Sequence, residues 1–108
     1  MAHSIENGRL AGARFVKANA SGGPMTPRFI VLHDTAGALR PFSSVEWFAS
    51  RDCGTSAHFV VERDGTVTQI VPTDKRAFHA GQSKWKGISG LNSCSVGIEI
   101  VNPGKLDA

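Results

Sequence analysis

The chain has 108 residues, 41% of them hydrophobic and 19% charged, a balance that suits one domain built on a single core. No run approaches the roughly 20 apolar residues of a membrane helix, and the net charge of +3 is scattered over single letters and pairs such as Lys84 and Lys86, without the dense stripe of a nucleic-acid binder. The opening MAHSIENGRLAG has neither the positive n-region nor the apolar h-region of a signal peptide, so the expectation is a cytoplasmic protein that partners neither nucleic acid nor membrane.

In chain order, residues 1–27 read as an irregular N-terminal segment, and the Gly, Pro, Ser and Asn of ANASGGPMTP read as a loop delivering the chain into the first strand. That strand is RFIVLH, Arg28 to His33, whose unbroken apolar run predicts burial on both faces. A short helix follows in ALRPFSSVEWFASR, with Ser43 or Ser44 as its cap and Val45, Phe48 and Ala49 on one side. The stretch SAHFVVERDGTVTQIV is a hairpin: two β-rich runs flank Arg63-Asp64-Gly65, and Asp-Gly supplies the positive φ that a tight turn requires. Pro72 to Asn92 reads mostly as loop around Trp85, and CSVGIEIVN closes the pattern as a strand. Strands with a helix and long loops imply a mixed α/β domain on one sheet. Cys53 and Cys94 match neither a CxxC zinc motif nor a dense disulfide framework; free thiols are the favoured reading, and the spacing leaves a single disulfide open.

Four residues stand out chemically. His33 ends an apolar strand at a polar turn, where the strand fixes its backbone and the loop leaves its ring accessible to a metal or a proton. His58 in the hairpin and His79 in the loop could join it in a three-histidine zinc set, or could serve inside the sheet and the loop as structural hydrogen-bonding groups. Glu99 lies opposite Ile98 and Ile100 by period-two alternation, with Gly97 and Val101 on its own face. A buried carboxylate is costly, so Glu99 needs either a hydrogen-bonded structural site or a working role as proton shuttle or metal neighbour.

The ordered series His33-Asp34-Thr35-Ala36, Ser56-Ala57-His58-Phe59-Val60-Val61 with Arg63-Asp64-Gly65, Phe78-His79-Ala80-Gly81 with Ser83, Trp85 and Asn92, and Ser95-Val96-Gly97-Ile98-Glu99-Ile100 resembles the zinc-dependent N-acetylmuramoyl-L-alanine amidases of the amidase-2 and peptidoglycan-recognition family. The resemblance runs from about Arg28 to Asn102 and makes 28–108 the family-like domain. It implies a single mixed β-sheet flanked by helices, Zn2+ as cofactor, His33 as a zinc ligand and Glu99 as the catalytic acid/base. Thr35, His79, Trp85 and Asn92 become candidate contacts to a peptidoglycan or muropeptide substrate. Ala57 stands where one phage branch carries a catalytic tyrosine, which adds weight to Glu99.

In the family the second and third zinc ligands and a final helix follow the S-[IV]-G-I-E strand, whereas this sequence reaches Ala108 a few residues beyond it. The expectation is therefore a truncated amidase that self-associates or pairs with a missing C-terminal segment. The alternatives are a peptidoglycan-binding module without catalysis, a site completed by His58, His79 or a partner chain, and an unrelated small α/β protein whose histidines are structural.

Overall fold

The computed structural model describes residues 4–35, 40–79, 84–85, 88–89 and 91–102, with the backbone alone at 84, 85, 88, 89 and 91. The elements follow as β1 (Ile5–Glu6), β2 (Arg9–Leu10), β3 (Arg14–Phe15), β4 (Phe29–Asp34), α1 (Ser43–Ala49), β5 (Phe59–Val61), β6 (Val67–Gln69), β7 (Lys84–Trp85), β8 (Ile88–Ser89), a 3-10 turn at Leu91–Ser93, and β9 (Ser95–Ile100). Five of these strands form the main sheet in the order β3-β6-β5-β9-β4, with β5 and β6 antiparallel and the other three pairings parallel. A mixed sheet with one described helix is the expected class.

The sheet has two chemically different faces. In the β4–β9 register His33 lies beside Glu99 and Val31 beside Gly97, and Glu99 in turn lies beside Val60 of β5. Alternation therefore places His33, Gly97, Glu99, His58 and Val60 on one face. Helix α1 covers this face: Val45 and Phe48 pack with Val60, Ile70, Val71, Ala77, Val101, Ala18 and Cys53 in one buried cluster. Burying each of the larger side chains contributes about 1.5–3 kcal/mol. Cys53 and Cys94 are both free thiols.

The other face of β4 departs from the expectation of two-sided burial. Ile30 and Leu32 are 69% and 62% exposed, and β4 alternates in burial along its whole length. It is an edge strand, and among the described residues nothing packs over these two side chains. A continuous apolar run indicates that both faces can be buried, but it does not supply the covering element.

The N-terminal segment is also more ordered than its composition suggests. β1 and β2 pair as a hairpin around Asn7 and Gly8, whose φ angles of 53° and 78° are those of a type I′ turn, and β3 joins the main sheet beside β6. The Asn-Gly pair was the available signal. The 72–92 region likewise contains the β7–β8 hairpin and the 3-10 turn.

Two local expectations need correction. Neither Ser43 nor Ser44 caps α1: the cap position is Phe42 in the left-handed region, with no side-chain cap. Its N–H is instead accepted by the Glu62 carboxylate at 3.2 Å, a tertiary contact in place of a local one. Ala49, expected on the buried side, is exposed. In the β5–β6 connection only Gly65 has positive φ, 92°. Gly65 N–H donates to Glu62 O and Glu62 N–H to Thr66 O, which is a type I turn closed by a glycine bulge.

Candidate active site

The parallel β4–β9 pair carries the site because it holds two strand ends in register. His33 on β4 and Glu99 on β9 are direct neighbours, both on the face that α1 covers. A cavity of about 310 Å³ opens there, lined by Asp34, Thr35, Ser44, Trp47, Phe48, Thr55, Ser56, His79 and Glu99. Helix and strand ends thus supply its walls, and the two carboxylates and an imidazole supply its chemistry.

Glu99 is half-buried, and its carboxyl is pushed above the usual carboxylate range by burial and by the nearby Asp34 charge. A carboxyl displaced toward neutrality is suited to exchange a proton with a reacting group. The question of how the strand accommodates it is answered by its neighbours. Gly97 leaves space on the same face, and His79 fills it: a Cβ at position 97 would stand 2.4 Å from the His79 ring.

His79 is fixed from several directions. Its backbone N–H donates to Asn92 Oδ1 at 3.0 Å, its Nε2 lies 3.1 Å from Ser95 Oγ, and its Nδ1 lies 3.1 Å from His33 Nε2. Burial, with the His33 charge adding to it, lowers its pKa from the ordinary imidazole value to about 4. His79 is therefore neutral near pH 7 and presents a dipole beside Glu99.

The remaining candidates have different places. Thr35 lines the cavity, and its hydroxyl also bonds the Asn102 backbone N–H and O at 3.3 Å, tying the end of β4 to the end of β9. Asn92 acts on His79 and is not among the cavity-lining residues. Trp85 has its backbone in β7, and its side chain lies outside the described residues.

His58 does come close to His79, with ring centroids 6.1 Å apart, as the three-histidine reading required. Its nitrogens are nevertheless both engaged: Nε2 lies 2.7 Å from the Lys75 carbonyl, and Nδ1 accepts the Gly97 N–H at 3.0 Å. A ring with both nitrogens committed to the backbone is not available as a metal ligand, so the three-histidine set is not formed. Burial lowers the His58 pKa, opposed by the bond to Lys75.

Whether these residues suit a zinc ion can be judged from the donors. His33 offers an imidazole beside the cavity-lining Asp34, with Glu99 as its strand neighbour, a donor chemistry that fits zinc. Among the described residues, however, no group of three His, Cys, Asp or Glu side chains is spaced to hold a metal. His33 fits as one ligand, and the set is not closed by the described residues.

Sequence reasoning missed Trp47, Ser44, Thr55 and Ser56 as cavity residues. An exposed tryptophan on an amphipathic helix was the one signal: Trp47 is 52% exposed beside the buried Phe48. The other three are ordinary polar residues whose role comes only from where the chain brings them.

Comparisons with known proteins bear on the fold and the family. The chain is 33% identical, over an alignment of 116 residues, to the 1,6-anhydro-N-acetylmuramyl-L-alanine amidase AmpD of Escherichia coli strain K12, covering 89% of this chain and 63% of that relative. The fold is similar to that of a crystallised selenomethionine derivative of AmpD, with a TM-score of 0.73 and 30% identity, covering 92% of this chain and 66% of the other. It is also similar to AmpDh3 of Pseudomonas aeruginosa in complex with anhydromuramic pentapeptide, with a TM-score of 0.62 and 33% identity, over 78% of this chain and 36% of that one. The chain thus spans a little under two thirds of the curated relative's length. With the N-acetylmuramoyl-L-alanine amidase model matching residues 23–108, this chain belongs to the N-acetylmuramoyl-L-alanine amidase family.

Proposed function

We propose that this chain carries the core of a zinc-dependent amidase that hydrolyses the amide between N-acetylmuramic acid and L-alanine. The observation that carries the reading is Glu99: a half-buried carboxyl, raised by its surroundings, facing an open cavity in register with His33. The names of the relatives, and the anhydromuramic pentapeptide bound to one of them, support a soluble 1,6-anhydro-muropeptide as substrate in preference to intact wall.

In this reading His33 contributes one ligand to the zinc. When bound, zinc polarises the scissile carbonyl and makes a water molecule more acidic. Glu99 accepts the proton of the attacking water and delivers it to the amide nitrogen, so that L-alanine leaves as an amine and the lactyl group becomes a carboxylate. Its raised pKa suits both halves of that transfer. Neutral His79, held against Gly97 with its ring nitrogens on His33 and Ser95, shapes the cavity wall where the substrate would lie. Thr35 lies along the cavity wall, and Asn92 acts by holding His79. Trp85 remains a substrate-contact candidate on the resemblance alone.

The test is Glu99→Gln, which keeps size and hydrogen bonding but cannot shuttle the proton. With zinc supplied, release of the L-alanine amine from a muramyl-peptide substrate should fall on the order of 10²–10⁴-fold, with substrate affinity retained. Unchanged turnover would remove Glu99 from the mechanism. Tight muropeptide binding by the parent without turnover would instead support the binding-module reading.

A further inference from the structure

His58 is completely buried, polar and outside the reacting group of residues, so its retention in the core needs an explanation. Its hydrogen bonds provide one. The Lys75 carbonyl can only accept, so the 2.7 Å contact requires the proton to be on His58 Nε2. The neutral ring then has a bare Nδ1, which is what the Gly97 N–H donates to at 3.0 Å. The His58 backbone N–H completes the pair by donating to Gly97 O at 2.8 Å. One residue of β5's approach thus satisfies both backbone groups of Gly97.

Gly97 is the floor on which His79 rests, and Lys75 stands four residues before His79 on the segment that delivers it. The single imidazole of His58 therefore tethers both supports of His79, the strand beneath it and the loop behind it. His79 in turn meets His33 and Ser95, each at 3.1 Å.

We propose that His58 is a positioning residue, locked as the neutral Nε2–H tautomer, whose clamp on Gly97 and Lys75 sets the placement of His79 against His33 and Glu99. The inference rests on the amidase reading for its catalytic consequence, while the clamp itself stands on the hydrogen bonds. Groups that orient the reacting set in this way influence rate through geometry without touching the substrate.

Two substitutions separate the arms of the clamp. His58→Asn keeps an acceptor near the δ position for Gly97 N–H and loses the tether to Lys75. His58→Gln keeps a donor near the ε position for Lys75 O and loses the acceptor for Gly97. In 15N-labelled protein without added zinc, His58→Gln should move the Gly97 amide and His79 ring resonances further than His58→Asn does. With zinc and a muramyl-peptide substrate, His58→Gln should lower kcat by about 10- to 100-fold with little change in KM, and His58→Asn should lose less.

Parental kcat in His58→Gln, or equal losses in both variants with the His79 resonances unmoved, would overturn the proposal. Should neither variant fold, the imidazole nitrogens of the labelled parent decide it: an Nε2–H, bare-Nδ1 pattern for His58 supports the clamp, and a protonated Nδ1 overturns it. A parent that shows this tautomer and these shifts but no turnover would mark the amidase reading as the failure, with the clamp intact.

Discussion

The two faces of the β4–β9 pair use the same twelve residues for opposite ends. On one face His33, Gly97 and Glu99 are interlocked with His79, Ser95 and helix α1, and every imidazole has a partner. On the other, Ile30 and Leu32 stand open to solvent among the described residues. The difference shows that the apolar content of a strand does not locate the important face: here the polar minority determines the geometry, and the isoleucines and leucine record only capacity for burial.

The comparison breaks most sharply at Gly97. Gly97→Ala puts a methyl group where the His79 ring already lies, so either the ring or the strand must shift. Overpacking of this kind costs about 1–3 kcal/mol, measured as a lowered unfolding midpoint in denaturant. Displacement of a group near the reacting centre should also lower kcat by on the order of 100-fold. Full stability and activity in Gly97→Ala would mean that His79 has freedom the structure does not display.

A smaller effect on the same face comes from acid. The His58 pKa is depressed by burial, so the unfolded chain binds a proton at this ring near the ordinary imidazole value of about 6.5 while the folded chain does not. Stability is then unaffected by His58 above that value and declines as the pH falls below it. Denaturant midpoints measured between pH 7.5 and 5 should drop more steeply for the parent than for His58→Asn; parallel curves would show that the ring is free to protonate in place.

The least effect belongs to the open face. Ile30→Ser and Leu32→Ser remove little buried area, so unfolding free energies should change by within about 0.5 kcal/mol, and kcat should be unaltered. A loss of several kcal/mol at either position would show that this face is covered in solution and that the contrast between faces is narrower than described.

Much of this site was legible because its signals are local. His33 at the end of an apolar run and Glu99 beside a glycine in a β-branched strand are anomalies that a one-dimensional reading can detect, and the Asp64-Gly65 turn announces its hairpin. The β1–β2 hairpin was equally announced by Asn7-Gly8, within the segment 1–27 that reads as irregular. Other features were not legible for a physical reason. The Phe42 N–H at the start of α1 finds its acceptor in Glu62, twenty residues away, and Ser56 and Thr55 line the cavity with Glu99 only because the fold brings them there.

By itself, the sequence determined the strand periodicity, the β5–β6 turn and the residue types able to move a proton or bind a metal, because each depends on backbone geometry and chemistry within a few residues. Tertiary structure alone decided that His58 is a clamp and not a ligand, that the space above Gly97 belongs to His79, and that one face of β4 is open. Those outcomes depend on which groups separated by tens of residues meet at hydrogen-bonding distance, and a buried imidazole takes its role from the partners it finds there.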